Sequence, residues 1–118
     1  MTVVVKKAET LEEGVQNIIE ASQKDFEGWS QRVVRRGPSG RTLTHAYSVE
    51  EGRSYIKIIR DHTAHSFVVK KETVRNNKVF KVGDILKPAS WKAPTMNAPR
   101  GNVFEEGSLM NWTGPLYL

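Results

Sequence analysis

Three histidines (His45, His62, His65) and thirteen carboxylates are the residues from which a metal centre or an acid–base pair would have to be built. His62 and His65 stand three apart, a metal-ligand spacing, but they flank a predicted turn with only Asp61 beside them, so they read as polar turn residues. Glu50-Glu51 and Glu105-Glu106 are adjacent pairs, and neighbours on an extended chain point to opposite sides, so neither makes an acid–base couple. The chain has no cysteine, which removes disulfides, thiolate chemistry and Cys-based zinc sites. No Gly-x-Ser-x-Gly elbow, phosphate loop or dinucleotide fingerprint occurs. The expectation is a non-enzymatic binding protein without metal or cofactor. Gly37-Pro38-Ser39-Gly40-Arg41 has amides and a cation that would suit a phosphate, or it simply connects a helix to a strand.

The most distinctive stretch is Gly83–Pro94, continuing through Asn97, Pro99, Arg100, Gly101, Asn102 and Phe104. An indole, Trp91, lies between Lys87 and Lys92, with Arg100 downstream. Single-stranded nucleic acid is bound by this kind of interleaving, because cations meet phosphates while an aromatic face stacks a base. The residues expected to bind are Lys87, Trp91, Lys92, Arg100 and Asn102, with Arg41 as a further cation. The competing reading makes Trp91 a buried plug and leaves the lysines merely solvated. Charge is segregated accordingly: of a net +5, residues 1–37 carry six basic and six acidic side chains, and residues 38–118 carry twelve and seven. An acidic partner follows from that surplus, or else a positive face that only keeps the protein in solution.

These residues need a scaffold, and 118 residues with 38% hydrophobic content suit a single domain with one modest core. Thr10 followed by Glu13 is a capping box. From there Leu11, Val15, Ile18, Ser22, Phe26, Trp29 and Val33 keep one face, and Gly37-Pro38 stops the pattern. The spacing predicts a helix over 10–36, its stripe lying across the protein's own sheet or against a second copy in a homodimer. Gly14 and Gly28 oppose helix formation, so packing must hold it. From 42 to 87 the pattern is extended: Thr42–Val49, Ser54–Arg60, His65–Lys71 and Lys78–Val82 read as an antiparallel meander of four strands. Val3–Lys7 would add a fifth at the edge. Residues 88–118 hold four of the five prolines with Trp91 and Trp112, and read as an irregular tail packed on the domain. The fold class is α+β. The apolar run Val3–Val5 is too short for a signal segment or a membrane span, which points to the cytoplasm.

The run GDILKPASWKAP, the later PRGNVF and the closing NWTGPLYL resemble the C-terminal hallmark of small tailed-bacteriophage proteins. Pro99 stands where those sequences carry Ala before Arg-Gly-Asn. The resemblance covers the chain from the third predicted strand onward and implies a setting, the cytoplasm of an infected bacterium, where such proteins act by stoichiometric binding. Four functions remain open. They are a nucleic-acid-binding accessory protein; an inhibitor of a host protein or anti-phage defence factor; a sponge for a phosphorylated nucleotide held by Arg41, Lys87, Lys92 and Arg100; and a virion or assembly component.

Overall fold

A computed structural model describes residues 3–34, 46–75, 77–111 and 114–115, with side chains described for these except 28–34 and 111. The long element is helix α1, Leu11–Val34. The Glu13 amide donates to Thr10 Oγ1 at 3.1 Å, the cap that the sequence signals. Val15, Ile18, Ser22 and Phe26 are buried, as one face of a 3.6-residue period requires. Trp29, Val33, Gly28 and the Gly37–Arg41 loop lie outside the described side chains.

Strands β1 (Val3–Val4), β2 (Tyr47–Glu51), β3 (Tyr55–Arg60), β4 (Thr63–Val69), β5 (Thr73–Arg75), β6 (Lys78–Phe80), β7 (Ile85–Leu86), β8 (Leu109–Asn111) and β9 (Gly114–Pro115) complete the described elements. The main sheet has the order β2-β3-β4-β7, all antiparallel. β2 to β4 form the expected meander. The two-residue turn Asp61-His62 joins β3 to β4 with Asp61 at a φ of 55°, and the Asp61 carboxylate accepts from the Ala46 amide.

Beyond β4 the sequence reading needs correction. Lys78–Phe80 does not continue the meander. It pairs with Thr73–Arg75 as a separate two-stranded ribbon, and the short Ile85–Leu86 takes the place beside β4. The edge strand expected at Val3–Lys7 is Val3–Val4, and it pairs with β8 rather than with the meander. The tail is therefore less irregular than expected, since β8 and β9 join β1 in a three-stranded sheet. Strand propensity identifies extended segments, but pairing is decided by which apolar faces meet.

Alternate residues of the main sheet feed two clusters. Ile56, Ile58, Val68 and Ile85 face α1 and pack with Val15, Ile18 and Ala21, together with Val5, Val103 and Met110. Phe67, Val69 and Leu86 point to the other face and pack with Phe80 of the ribbon, backed by Tyr55 and Met96. A sheet covered on both faces reads as a continuous apolar run, which accounts for Tyr55–Arg60. Each fully buried large aliphatic side chain in these clusters is worth about 1.5–3 kcal/mol. At Gly14 a Cβ would lie 2.5 Å from Val103 Cβ, so the glycine that weakens the helix is what lets the tail segment approach it.

Candidate functional site

Lys57 interrupts the apolar run Ile56–Ile59 of β3. Strand alternation puts it on the same side of the sheet as Tyr55, across from Phe67 of β4. That face is the one away from α1. The chain leaving β7 makes a tight excursion: Pro88 bridges Pro94, the Ala89 and Ser90 amides donate to the Ala93 carbonyl at 3.0 and 3.1 Å, and the Thr95 amide returns to the Lys87 carbonyl. Trp91 and Lys92 are at the apex of this loop, which lays the indole against Lys57.

The Lys57 ammonium sits 3.8 Å from the Trp91 ring centroid, a cation–π contact, and 3.6 Å from a Glu50 carboxylate oxygen. Lys57 is only 9% exposed, whereas Trp91 keeps 45% of its surface in solvent. Beside them opens a groove of about 400 Å³ whose apolar wall is Tyr55, Phe67 and Trp91. Arg53, Lys57 and Lys92 supply positive charge to its lining, and Glu50 and Glu51 supply negative charge. Glu51 is partly neutralised by Lys70 at 3.5 Å. A volume of this size falls within the range of small-ligand sites.

The other residues expected to bind are elsewhere. Lys87 does not line the groove: its Nζ donates to the Pro115 carbonyl at 3.0 Å and so ties β7 to β9. Burial lowers the pKa of this ammonium from the usual lysine value, and the neighbouring Arg100 lowers it further. Arg100 donates from Nε to the Ala98 carbonyl and from Nη2 to Asn97 Oδ1. The ribbon residue Lys78 reaches the Asn97 carbonyl, so two cations converge on Asn97. Asn102 is buried at 5% exposure, with its amide donating to Asp84 Oδ1 at 2.8 Å and to the Val82 carbonyl at 3.2 Å. Its side-chain oxygen accepts from the Phe104 amide, so both amide protons are spent within the fold and none is left for a ligand. Arg41 lies outside the described residues.

The structure therefore brings Trp91 and Lys92 together and leaves Lys87, Arg100 and Asn102 out of the groove. It adds Lys57 and Arg53, which sequence reasoning passed over. The available signal was a single lysine inside Tyr55–Arg60, a strand otherwise buried at its centre.

A second polar group joins α1 to the sheet. The Ser22 hydroxyl and the Tyr47 phenol are hydrogen-bonded, and Tyr47 meets His65 edge-on with centroids 6.0 Å apart. His65 is the extra residue where the β3–β4 register shifts, and its Nδ1 is 3.0 Å from Ser66 Oγ. Desolvation raises the Tyr47 pKa above the ordinary tyrosine value, against the opposing effect of the Ser22 bond. Ser22, His65 and Ser66 are all at or below 2% exposure, so this group fixes the helix on the sheet rather than facing a ligand. His62, by contrast, is exposed in the turn. Among the described residues no cluster of three or more metal-ligating side chains forms, and no helix is long and apolar enough to cross a membrane.

The arrangement is that of an α+β protein in which one helix covers one face of an antiparallel sheet, and a ribbon and loop cover the other. Residues 3–118 match the model of a family of unknown function, DUF7717, and the chain belongs to that family. No curated protein and no solved structure matches it.

Proposed function

We propose that this protein is a non-enzymatic accessory protein that binds single-stranded nucleic acid at the Trp91 groove, in the setting of a phage-infected bacterium that the tail motif suggests. The observation that carries the reading is a half-exposed indole flanked by the cations Lys57, Lys92 and Arg53. Lys57 takes one face of the ring, and the solvent-exposed remainder is the surface on which a base stacks. Lys92 and Arg53 then meet the adjoining phosphates, while the groove's carboxylates hold affinity down and favour a weak, rapidly exchanging complex.

Fluorescence anisotropy with labelled single-stranded oligonucleotides across a salt series tests this. Binding at micromolar protein should weaken linearly on a log–log scale as salt rises, and both Trp91→Ala and Lys92→Glu should weaken it while the fold is retained. Absence of salt-sensitive binding rejects the reading. A pull-down from bacterial lysate with and without nuclease separates it from inhibition of a host or defence protein, whose capture nuclease would leave intact.

A further inference from the structure

β2 is the outer strand of the main sheet, and among the described residues nothing pairs with its far side. The opposite end of the sheet is closed, because the Ile85 amide donates to the Gly101 carbonyl and the Ile85 carbonyl accepts from the Arg100 amide. Along β2 the Asp61 amide donates to the Ala46 carbonyl and the Gly52 amide donates to the Tyr55 carbonyl. Ala46, Ser48, Glu50 and Gly52 therefore turn their backbone groups toward β3, and alternation turns the N–H and C=O of Tyr47, Val49 and Glu51 outward. Ser48 to Glu51 are exposed, and Val49 keeps 43% of its surface in solvent. An open row of backbone donors and acceptors beside an uncovered valine is an edge ready to pair.

We infer that β2 pairs with β2 of a second copy of the chain, antiparallel about Val49, giving one continuous sheet that carries two Trp91 grooves. Charge sets the partner and the register. With Val49 opposite the second copy's Val49, Tyr47 meets its Glu51 and Ser48 meets its Glu50, so no carboxylate faces another. Moving the centre to Glu50 would set Glu50 against Glu50, and moving it to Ser48 would keep only the segment Tyr47–Val49 paired. Each acid also has its own cation, Lys57 for Glu50 and Lys70 for Glu51, which weakens the repulsion that an acidic edge otherwise supplies.

Such pairing has its two-fold axis perpendicular to the sheet, so both copies turn the face that holds Lys57 to the same side. Three strand spacings of about 4.8 Å and two residues of about 3.3 Å along the strand put the two Lys57 positions roughly 16 Å apart. At about 3.4 Å per stacked nucleotide, a strand of roughly five or six nucleotides reaches from one groove to the other. This use of the dimer rests on the reading of the Trp91 groove given above, whereas the pairing of the edges does not.

Sedimentation equilibrium of the full chain from micromolar to millimolar concentration, alone and with a thymine trinucleotide or dodecanucleotide, tests the inference. The parent should pass from monomer to dimer as concentration rises, and the dodecanucleotide should bring the dimer in at lower protein concentration. Val49→Pro, which removes an outward N–H without touching the ladder to β3, and Val49→Lys, which sets two cations against each other, should both stay monomeric. By anisotropy, both variants should bind the trinucleotide as the parent does and the dodecanucleotide at least ten-fold more weakly. The chain has no cysteine, so Val49→Cys gives a direct check. Its two Cα atoms would stand about 5.5 Å apart, within disulfide reach, and mild oxidation should link the dimer, whereas Val74→Cys, at a more exposed position, should stay unlinked. A parent that stays monomeric throughout, or a dimer that the Val49 variants leave intact, overturns the inference, while trinucleotide binding that Trp91→Ala abolishes would keep the Trp91 reading. A Val49-dependent dimer that binds neither probe keeps the edge pairing and removes the Trp91 reading. Oxidation of Val49→Cys in lysate that links it to a different protein, with the parent monomeric, would assign the edge to a foreign strand and also overturn the inference.

Discussion

Asp84 and Asn102 are joined by a 2.8 Å hydrogen bond between their side chains, and their backbones bridge at the same point. The same Asp84 carboxylate accepts from the Lys81 amide, and the Asn102 amide closes on the Val82 carbonyl. Gly83, at a φ of 91°, has the Phe104 ring 2.7 Å from where its Cβ would be. The Gly83-Asp84 and Gly101-Asn102 pairs of the tail motif thus form a clasp that docks the tail beside β7. Their role is to place the Trp91 loop, not to touch a ligand.

Asn102→Ala should accordingly destabilise the protein by roughly 2–3 kcal/mol, because it leaves the Phe104 amide and the Asp84 carboxylate short of partners in a buried place. Urea unfolding measures the loss. Oligonucleotide affinity of the folded fraction should change less than it does in Trp91→Ala.

Trp91→Ala should have the reverse profile. The cation–π contact with Lys57 contributes about 0.5–1 kcal/mol to stability, whereas a lost base stack costs about 1–3 kcal/mol of binding. A ten-fold or greater fall in single-strand affinity with a small shift in the urea midpoint is the expected pair of results. An unchanged affinity would remove Trp91 from the site.

The acids of the groove offer a gain-of-binding test. Glu50 and Glu51 are exposed carboxylates paired with the largely buried Lys57 and the part-buried Lys70; water screens the acids, and Lys57 keeps the Trp91 ring as a partner when Glu50 is neutralised. Glu50→Gln with Glu51→Gln should leave the fold intact, raise affinity for single strands several-fold at low salt and steepen the salt dependence. Anisotropy at two ionic strengths reads both effects.

At Gly14 two opposed effects can be separated. Alanine is favoured over glycine inside a helix by about 1 kcal/mol, but overpacking against a fixed neighbour costs about 1–3 kcal/mol. The 2.5 Å approach to Val103 makes the clash dominant, so Gly14→Ala should lower stability. Val103→Ala keeps the Cβ of closest approach and so should relieve only part of the penalty, whereas a Val103→Gly background removes that atom and should remove most of it, which double-mutant cycles in urea would show.

Two groups set the alkaline behaviour in opposite senses. Lys87 has a folded-state pKa below 10.5, so as pH rises through it the folded chain releases a proton that the unfolded chain keeps, and stability climbs until about 10.5. Tyr47 has a folded-state pKa above 10.0, so beyond that pH the unfolded chain ionises first and stability falls. Urea midpoints between pH 8 and 11 should show Lys87→Met removing part of the rise and Tyr47→Phe removing part of the fall. No difference from the parent in either slope would refute the assignment.

How much of this was legible depended on distance along the chain. The helix start at Thr10, the buried stripe from Val15 to Phe26 and the meander through β4 follow from patterns a few residues long. What the sequence concealed is non-local. The pairing of Val3 with Met110 and the diversion of Lys78–Phe80 into a ribbon depend on which surfaces remain uncovered after the meander forms. The site divided in the same way. Trp91 and Lys92 are adjacent in sequence and stayed together, but Lys87 and Arg100 were drawn off to carbonyls of their own surroundings. Lys57 escaped notice because its partner is a loop more than thirty residues further on.

The pairing of Val4 with Leu109 also constrains how the molecule is made. A ribosome releases the first strand long before it has synthesised that strand's neighbour, and closing so large a loop is entropically slow. The helix and meander can assemble while translation continues, but β1 must wait. During that interval Val3 and Val4 are uncovered, flanked by Lys6 and Lys7, whose charge discourages wrong partners.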